Sequence, residues 1–143
     1  MKPQPSVIEL RSYFVTELHF AANSAFDPAK PTSLMSSDLQ VESVLEPPVK
    51  DRKQWGISLT VRQAVLQDKN VPYEFTIKIW GLFAPTIAIP EERRPQVLLG
   101  AGSSVLYGAA REIVRDLTAR GPYSPLLLPP VSFAPEAEKA AGE

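Results

Sequence analysis

Proline is the residue that most constrains how this chain can fold. The sequence holds 15 prolines among 143 residues, and they leave only a few long windows without one. Because proline lacks a backbone N–H and clashes with a preceding helical turn, regular helices and central strands are expected inside those windows. Residues 7–20 alternate in polarity, which predicts a strand. Its core face is expected to carry Ile8, Leu10, Phe14, Leu18 and Phe20.

The clearest alternation belongs to a hairpin. Residues 55–65 and 73–83 place apolar side chains at every second position, and residues 67–70 between them have the composition of a turn. The residues predicted to face the core are Trp55, Ile57, Leu59, Val61, Val65, Tyr73, Phe75, Ile77, Ile79 and Phe83. The opposite face carries Arg62 and Lys78 among other polar residues, as expected for a sheet face in water. Residues 38–45 alternate likewise and predict a further strand, which Pro47-Pro48 ends.

One amphipathic helix is predicted towards the carboxyl end. Apolar residues recur there at helical spacing: Leu106, Ala110, Ile113 and Leu117. We expect Ser103 or Ser104 to cap this helix and Gly121 to end it, with no more than a short helical turn in residues 91–99. Residues 21–37 read as a loop. Strands first and a helix last predict an α+β fold, a four-stranded antiparallel sheet with a long C-terminal helix packed on one face.

Composition argues against several classes of function. The net charge is −1 with acids and bases mixed along the chain, which disfavours nucleic acid as the main partner. The chain has no cysteine, His19 is its one histidine, and no catalytic or metal-binding constellation stands out, so we expect neither an enzyme nor a cofactor. The first residues lack a continuous apolar stretch and no apolar run approaches the length of a membrane span, so the expected location is cytoplasmic.

The segment after the helix is too apolar for an ordinary solvated loop. Residues 123–131 contain three consecutive leucines between prolines, which prevent a regular helix or central strand. Such a segment either covers the protein's own core or is offered to a partner. Trp80 and Leu82, on the polar face of the hairpin, and Tyr123 with residues 126–128 are hard to place in a core. We expect these residues to line a groove for an extended apolar peptide or to contact other subunits, and the sequence leaves both open.

Residues 106–133 resemble the end of SecB, the export chaperone that holds unfolded preproteins. SecB-type chains carry Leu-aromatic-x-x-Ala-Arg-Glu, then Arg-Gly-x-aromatic, then Leu-x-Leu-x-Pro-Val-x-Phe. The matching residues are Leu106, Tyr107, Ala110, Arg111, Glu112, Arg120, Gly121, Tyr123, Leu126, Leu128, Pro130, Val131 and Phe133. Weaker likenesses are Phe14, Glu17, Leu18 and Phe20 in the first strand and Gly81-Leu82-Phe83 at the end of the hairpin.

The resemblance implies a fold and a function. SecB-like proteins have the same α+β arrangement, form cytoplasmic homotetramers as dimers of dimers, and hold unfolded clients in apolar grooves without ATP. They pass preproteins to the translocase motor SecA, and some relatives protect an antitoxin instead. The positions that the resemblance and the hairpin pattern assign to client binding are Leu39, Val41, Trp80, Leu82, Phe83, Tyr123, Leu126 and Leu128. The domain is expected over residues 1–134, followed by a frayed tail over 135–143.

The chain departs from the family pattern in charge and at its end. SecB is strongly acidic and engages SecA through its flat sheet face, whereas this chain is near neutral and carries Arg62 and Lys78 on that face. Ala21 stands where the family has an acid, and APEAEKAAGE stands where the family has an apolar last helix and a SecA-binding tail. A toxin–antitoxin chaperone and a purely structural or regulatory oligomer therefore remain alternatives to an export chaperone.

Overall fold

The computed structural model describes residues 1–32, 34–46 and 53–133. They form strands β1 (Ile8–Ala22), β2 (Gln40–Leu45), β3 (Trp55–Gln63) and β4 (Tyr73–Pro85), followed by one long helix, α1 (Arg94–Thr118). The four strands make one antiparallel sheet in the order β1-β4-β3-β2, and α1 packs on one face, mainly across β3 and β4. The predicted fold class is confirmed. The Pro47-Pro48 stop and the tail over 135–143 lie outside the described residues.

The central hairpin follows the predicted alternation. Trp55 pairs with Phe83 and Gln63 with Phe75, so the apolar positions of β3 and β4 fall on the face that α1 covers. Ile57, Leu59 and Ile77 are fully buried there. We call this the helix side of the sheet and the opposite face the outer face. The one exception is Val65, which lies beyond the end of β3 and is exposed.

The first strand does not keep a single alternation. Two bulges, at Arg11 and Thr16, each insert one residue into β1 relative to β4. A one-residue insertion moves every following side chain to the other face. Phe14 therefore lies on the outer face opposite Trp80, and the prediction that it shares a core face with Leu10 and Leu18 is wrong. The second bulge restores the original phase, so Leu18 returns to the helix side opposite Ile77.

The helix begins about ten residues earlier than the capping signals predict. It starts at Arg94, with a proline in its first turn, and runs without a break through Gly100 and Gly102. Gly102 lies at a close approach of α1 to the sheet, because a Cβ there would overlap the side chain of Ile57. The two glycines are thus part of the helix rather than an interruption of it. Among the described residues, α1 is the one helix long and apolar enough to cross a membrane by composition, but a full face of it packs on the sheet.

The prediction that Ser103 or Ser104 caps the helix is wrong, because both residues lie inside α1. Ser103 lies in the middle of α1, fully buried, and its hydroxyl has no hydrogen-bond partner among the described residues. A buried hydroxyl without a partner costs free energy, and serine is a poorer helix former than alanine. We therefore expect Ser103→Ala to raise the free energy of unfolding by about 0.5–1 kcal/mol.

Chemical denaturation of the variant measures this effect. Ser104→Ala is the matched control, because Ser104 is exposed and its hydroxyl donates to the carbonyl oxygen of Gly100 at 3.0 Å. The control should gain less than Ser103→Ala. A loss of stability in Ser103→Ala would contradict the view that its hydroxyl is unsatisfied.

Candidate peptide-binding surface

The apolar ribbon, residues 123–133, lies against its own subunit. It runs antiparallel to α1, from Thr118 back towards Gly100. Leu126 and Leu128 are 6% and 2% exposed and belong to the hydrophobic core, whereas Leu127 between them is 68% exposed. The interpretation that Leu126 and Leu128 are hard to place in a core is therefore wrong. Their side chains cover the helix and the sheet, and in this conformation they offer no surface to a client.

Three hydroxyl groups attach the ribbon. The hydroxyl of Tyr73 accepts the N–H of Tyr123 at 2.9 Å and lies 3.3 Å from the carbonyl oxygen of Thr118. The hydroxyl of Thr118 accepts the N–H of Leu126 at 2.8 Å. The hydroxyl of Tyr107 donates to the carbonyl oxygen of Pro129. Burial raises the pKa of Tyr107, which outweighs the lowering by Arg111, so this hydroxyl stays a donor at neutral pH. Because proline-rich backbone makes few hydrogen bonds with itself, these contacts hold the segment in place.

Tyr123 is half-buried between two other rings. Its ring lies 4.6 Å from that of Phe26 and 5.6 Å from that of Tyr73, and its hydroxyl donates to the carbonyl oxygen of Asn23 at 3.0 Å. The loop that carries Phe26 is held by Asn70, which donates to the carbonyl oxygen of Asp27 at 2.7 Å. Tyr123 is therefore only partly accessible to a client.

Two further candidates of the helix side, Leu39 and Val41, lie at the opposite edge of the sheet. Leu39 is 8% exposed and part of the core, and Val41, opposite Val61 in β3, is half-buried against it. Phe83 is fully buried. The structure therefore does not bring the candidates into one open groove: Leu39, Phe83, Leu126 and Leu128 lie in the core, and Val41 and Tyr123 are partly covered.

Trp80 and Leu82 lie on the outer face, where they form part of an exposed apolar surface. The Phe14 ring, 52% exposed, lies 5.2 Å from that of Trp80. The outer-face row through Trp80 continues across Ser58 to Val44, which is 48% exposed. We call Phe14, Trp80, Leu82 and Val44 the aromatic shelf. Sequence reasoning found Trp80 and Leu82 but missed Phe14, because the bulge that turns it to this face has no signature in the sequence.

The indole of Trp80 is held flat against the sheet. Its N–H donates to the carboxylate of Glu46 at 2.9 Å, and Glu46 also lies 3.4 Å from the hydroxyl of Ser58. The ring crosses Gly56, where a Cβ would come within 2.9 Å of the indole nitrogen. The missing side chain at Gly56 and the acceptor at Glu46 thus fix the ring as a rigid, ready-made contact surface.

A second apolar strip lies on the other face of the edge strand. Tyr13, Val15 and Leu18 are on the helix side, opposite Gly81, Ile79 and Ile77, yet they are 49%, 39% and 48% exposed. Because α1 lies mainly over β3 and β4, it does not cover them. We call these three residues the edge strip. The sequence pattern identified Leu18 but assigned it to the core.

Charge on the remaining outer face is mixed rather than acidic. Glu17 lies opposite Lys78, and His19 lies next to Glu74, with 4.0 Å between the imidazole and the carboxylate. Arg62 and Lys78 are both exposed on this face, as the hairpin pattern predicts. Within the part of the chain that the structure describes, no group of three or more acidic or histidine side chains is placed to hold a metal ion.

Comparison with known proteins identifies the family. The model of the SecB family, preprotein translocase subunit SecB, matches residues 2–136. The protein-export protein SecB of Mesorhizobium japonicum is 30% identical over 137 residues, which cover 92% of this chain and 77% of that protein. SecB of Rhodospirillum centenum is 29% identical over 127 residues, covering 83% of this chain and 74% of that protein.

Among solved structures, the fold is similar to a SecB-like chaperone of Mycobacterium tuberculosis, determined in complex with a peptide from an antitoxin. The TM-score is 0.68 at 21% identity, over 87% of this chain and 91% of that one. The four-stranded antiparallel sheet with one packed helix is thus the fold of a SecB-like chaperone. The chain belongs to the SecB family.

Proposed function

We propose that this SecB-family protein is an ATP-independent holding chaperone that binds extended apolar segments of unfolded preproteins on the aromatic shelf, in the cytoplasm. The observation that carries the proposal is the contact between the exposed ring of Phe14 and the half-buried ring of Trp80, since soluble proteins rarely leave a contiguous apolar patch without a use. Burial of apolar surface contributes about 25 cal/mol per Å² before the cost of ordering the client. A single contact therefore binds weakly. Several subunits that bind one client together would raise the overall affinity.

The edge strip serves self-association in this proposal. β1 is 15 residues long, lies at an edge of the sheet and exposes Tyr13, Val15 and Leu18. A long apolar edge strand tends to pair with another strand, and β1 of a second copy of the chain is a matching partner. The homo-oligomer, a dimer of dimers by resemblance to the family, is assembled through this edge.

Neighbouring residues of β1 allow the two roles to be separated. We expect Phe14→Ser to weaken binding of an apolar extended peptide about fivefold, the loss that follows from removing a half-exposed ring from the contact. Assembly should be unchanged. The double variant Tyr13→Ser, Leu18→Ser should shift the protein towards monomer and keep the affinity per subunit. Calorimetry with the peptide and sedimentation of the free protein measure the two effects.

Val65→Ser is the matched control, because Val65 is an exposed apolar residue outside the strands of the sheet. It should change neither quantity. If Phe14→Ser leaves peptide affinity intact, the aromatic shelf is not the client surface. If the purified protein neither slows aggregation of an unfolded client nor binds the peptide, the chaperone proposal itself fails.

The mixed charge of the outer face favours a second candidate, a chaperone for the antitoxin of a toxin–antitoxin module. An export chaperone of this family docks on SecA through acidic charge, and here Arg62 and Lys78 oppose that charge. The neighbour from Mycobacterium tuberculosis was determined with an antitoxin peptide. Titration with purified SecA distinguishes the candidates: binding supports the export role, and its absence alongside client holding supports the antitoxin role.

A further inference from the structure

A cavity of about 340 Å³ lies at the N-terminal end of α1, and no residue of the aromatic shelf is among its described lining residues. It is bounded by the start of β3, the end of β4 and the connection over residues 86–93. Its apolar wall includes Trp55, Ile87 and Ile89, and its polar lining is Arg11, Lys53 and Arg94. Ligand pockets in proteins start at about 300 Å³. The space therefore suits a short element of a ligand, such as one apolar side chain with a charged group beside it.

The lining is basic. Three of the described lining residues are bases and none is an acid. Arg94 is held in place because its guanidinium donates to the carbonyl oxygen of Ile89 at 3.1 Å. Arg11 lies 3.5 Å from the carboxylate of Glu9, but both side chains are at least half exposed, so solvent screens that pair. A fixed guanidinium is the group that best recognises a carboxylate.

The helix terminus adds to the positive potential. The N-terminal end of an α-helix carries a partial positive charge and normally has acidic residues in its first turn. The first turn of α1 has none, and Arg93 and Arg94 stand at its start. Glu91 and Glu92 precede them but are exposed and do not line the cavity. Such departures from local preference are typical of functional sites, where a bound anion restores the balance.

We propose that this cavity binds a client segment in which a carboxylate stands next to an apolar or aromatic side chain. The apolar group lies against Trp55 and Ile87, and the carboxylate meets Arg94 and Arg11. This inference rests on the proposed chaperone function and adds a selectivity to it: clients are chosen by an acidic residue within an apolar stretch. The aromatic shelf, by contrast, has no such preference.

The test compares two short apolar peptides that are identical except for Glu or Gln at the central position. By calorimetry, the Glu peptide should bind about tenfold more tightly, as expected for one charge-assisted contact, and high salt should reduce this advantage. Arg94→Gln and Arg11→Gln should each remove most of the advantage without weakening the Gln peptide. Arg94→Lys, which keeps the charge, should retain part of it. Arg62→Gln, on the outer face, is the matched control and should leave the advantage unchanged.

The outcomes separate this inference from the function on which it rests. If both peptides bind equally well, or if the preference survives in Arg94→Gln and Arg11→Gln, the pocket assignment is wrong while the chaperone function stands. If neither peptide binds, both fail. A further variant tests whether residues 134–143 of the chain itself occupy the cavity. If the double variant Glu136→Gln, Glu138→Gln binds the Glu peptide at least tenfold more tightly than the unmodified protein does, those residues are the occupant and the proposal is overturned.

Discussion

Replacing Phe83 by alanine is expected to lower the free energy of unfolding by about 3–5 kcal/mol, the cost of removing a fully buried aromatic ring. The ring is 0% exposed and fills the space above two glycines, one in β4 and one in α1. A Cβ on Gly81 would come within 2.8 Å of the ring, and one on Gly102 within 3.4 Å. Because glycine has no side chain, neither position can fill the cavity that the lost ring leaves. The loss of unfolding free energy should therefore lie near the upper end of that range.

Denaturant unfolding of Phe83→Ala measures this cost, and Phe14→Ala is the matched control. Phe14 is the same residue type in the same sheet but is 52% exposed on the outer face. Its replacement should cost no more than about 1 kcal/mol, since little of the ring leaves a packed environment. The comparison also tests the sequence-based assignment of Phe83 to client binding. A Phe83→Ala variant of normal stability that had lost peptide binding would restore that assignment and contradict the core position.

The sheet and its central hairpin could be predicted because their alternation is regular. β3 and β4 have no bulge between them, so the side chains keep a period of two from Trp55 to Gln63 and from Tyr73 to Phe83. The polar outer face follows from the same period. In such strands the burial pattern can be predicted from the alternation of apolar and polar residues. The fold class follows from the order of the elements.

The first strand could not be predicted at the level of faces. β1 has apolar residues at both parities, and the bulges at Arg11 and Thr16 decide which of them meets the helix. A bulge depends on how one strand pairs with its neighbour, which no local pattern records. The prediction for Phe14 failed for this reason. Sequence reasoning therefore missed one of the two aromatic rings of the aromatic shelf.

The apolar ribbon shows a different limit. Its composition indicated that it must contact apolar surface, but composition cannot show whether that surface belongs to the same subunit or to a partner. The structure covers the core of the same subunit with Leu126 and Leu128, and the three hydroxyl contacts of Tyr73, Thr118 and Tyr107 select that answer. The contacts of Tyr73 and Tyr107 join residues 50 and 22 positions apart in the chain, so a local pattern does not reveal them. Of the three consecutive leucines, Leu127 alone is exposed to a partner.

The start of the helix was missed because two glycines usually weaken a helix, and here a tertiary contact overrides that preference. This leads to a prediction of opposite signs at two positions of α1. Gly102→Ala should lower the free energy of unfolding by about 1–3 kcal/mol, the usual cost of overpacking a core. Gly108→Ala should raise it by about 0.5–1 kcal/mol, the gain from replacing a helical glycine where space is open.

The physical difference lies in what the new methyl group meets. At Gly102 it would overlap the side chain of Ile57, which is itself fully buried, with the ring of Phe83 close behind, so nothing can move aside cheaply. At Gly108 no atom lies within 4 Å of the new Cβ among the described residues. Thermal and denaturant unfolding of both variants measure the effects. If Gly102→Ala were as stable as Gly108→Ala, α1 would not approach the sheet as closely as the structure places it. Close packing on the sheet would then not explain why the helix runs unbroken from Arg94 through its glycines.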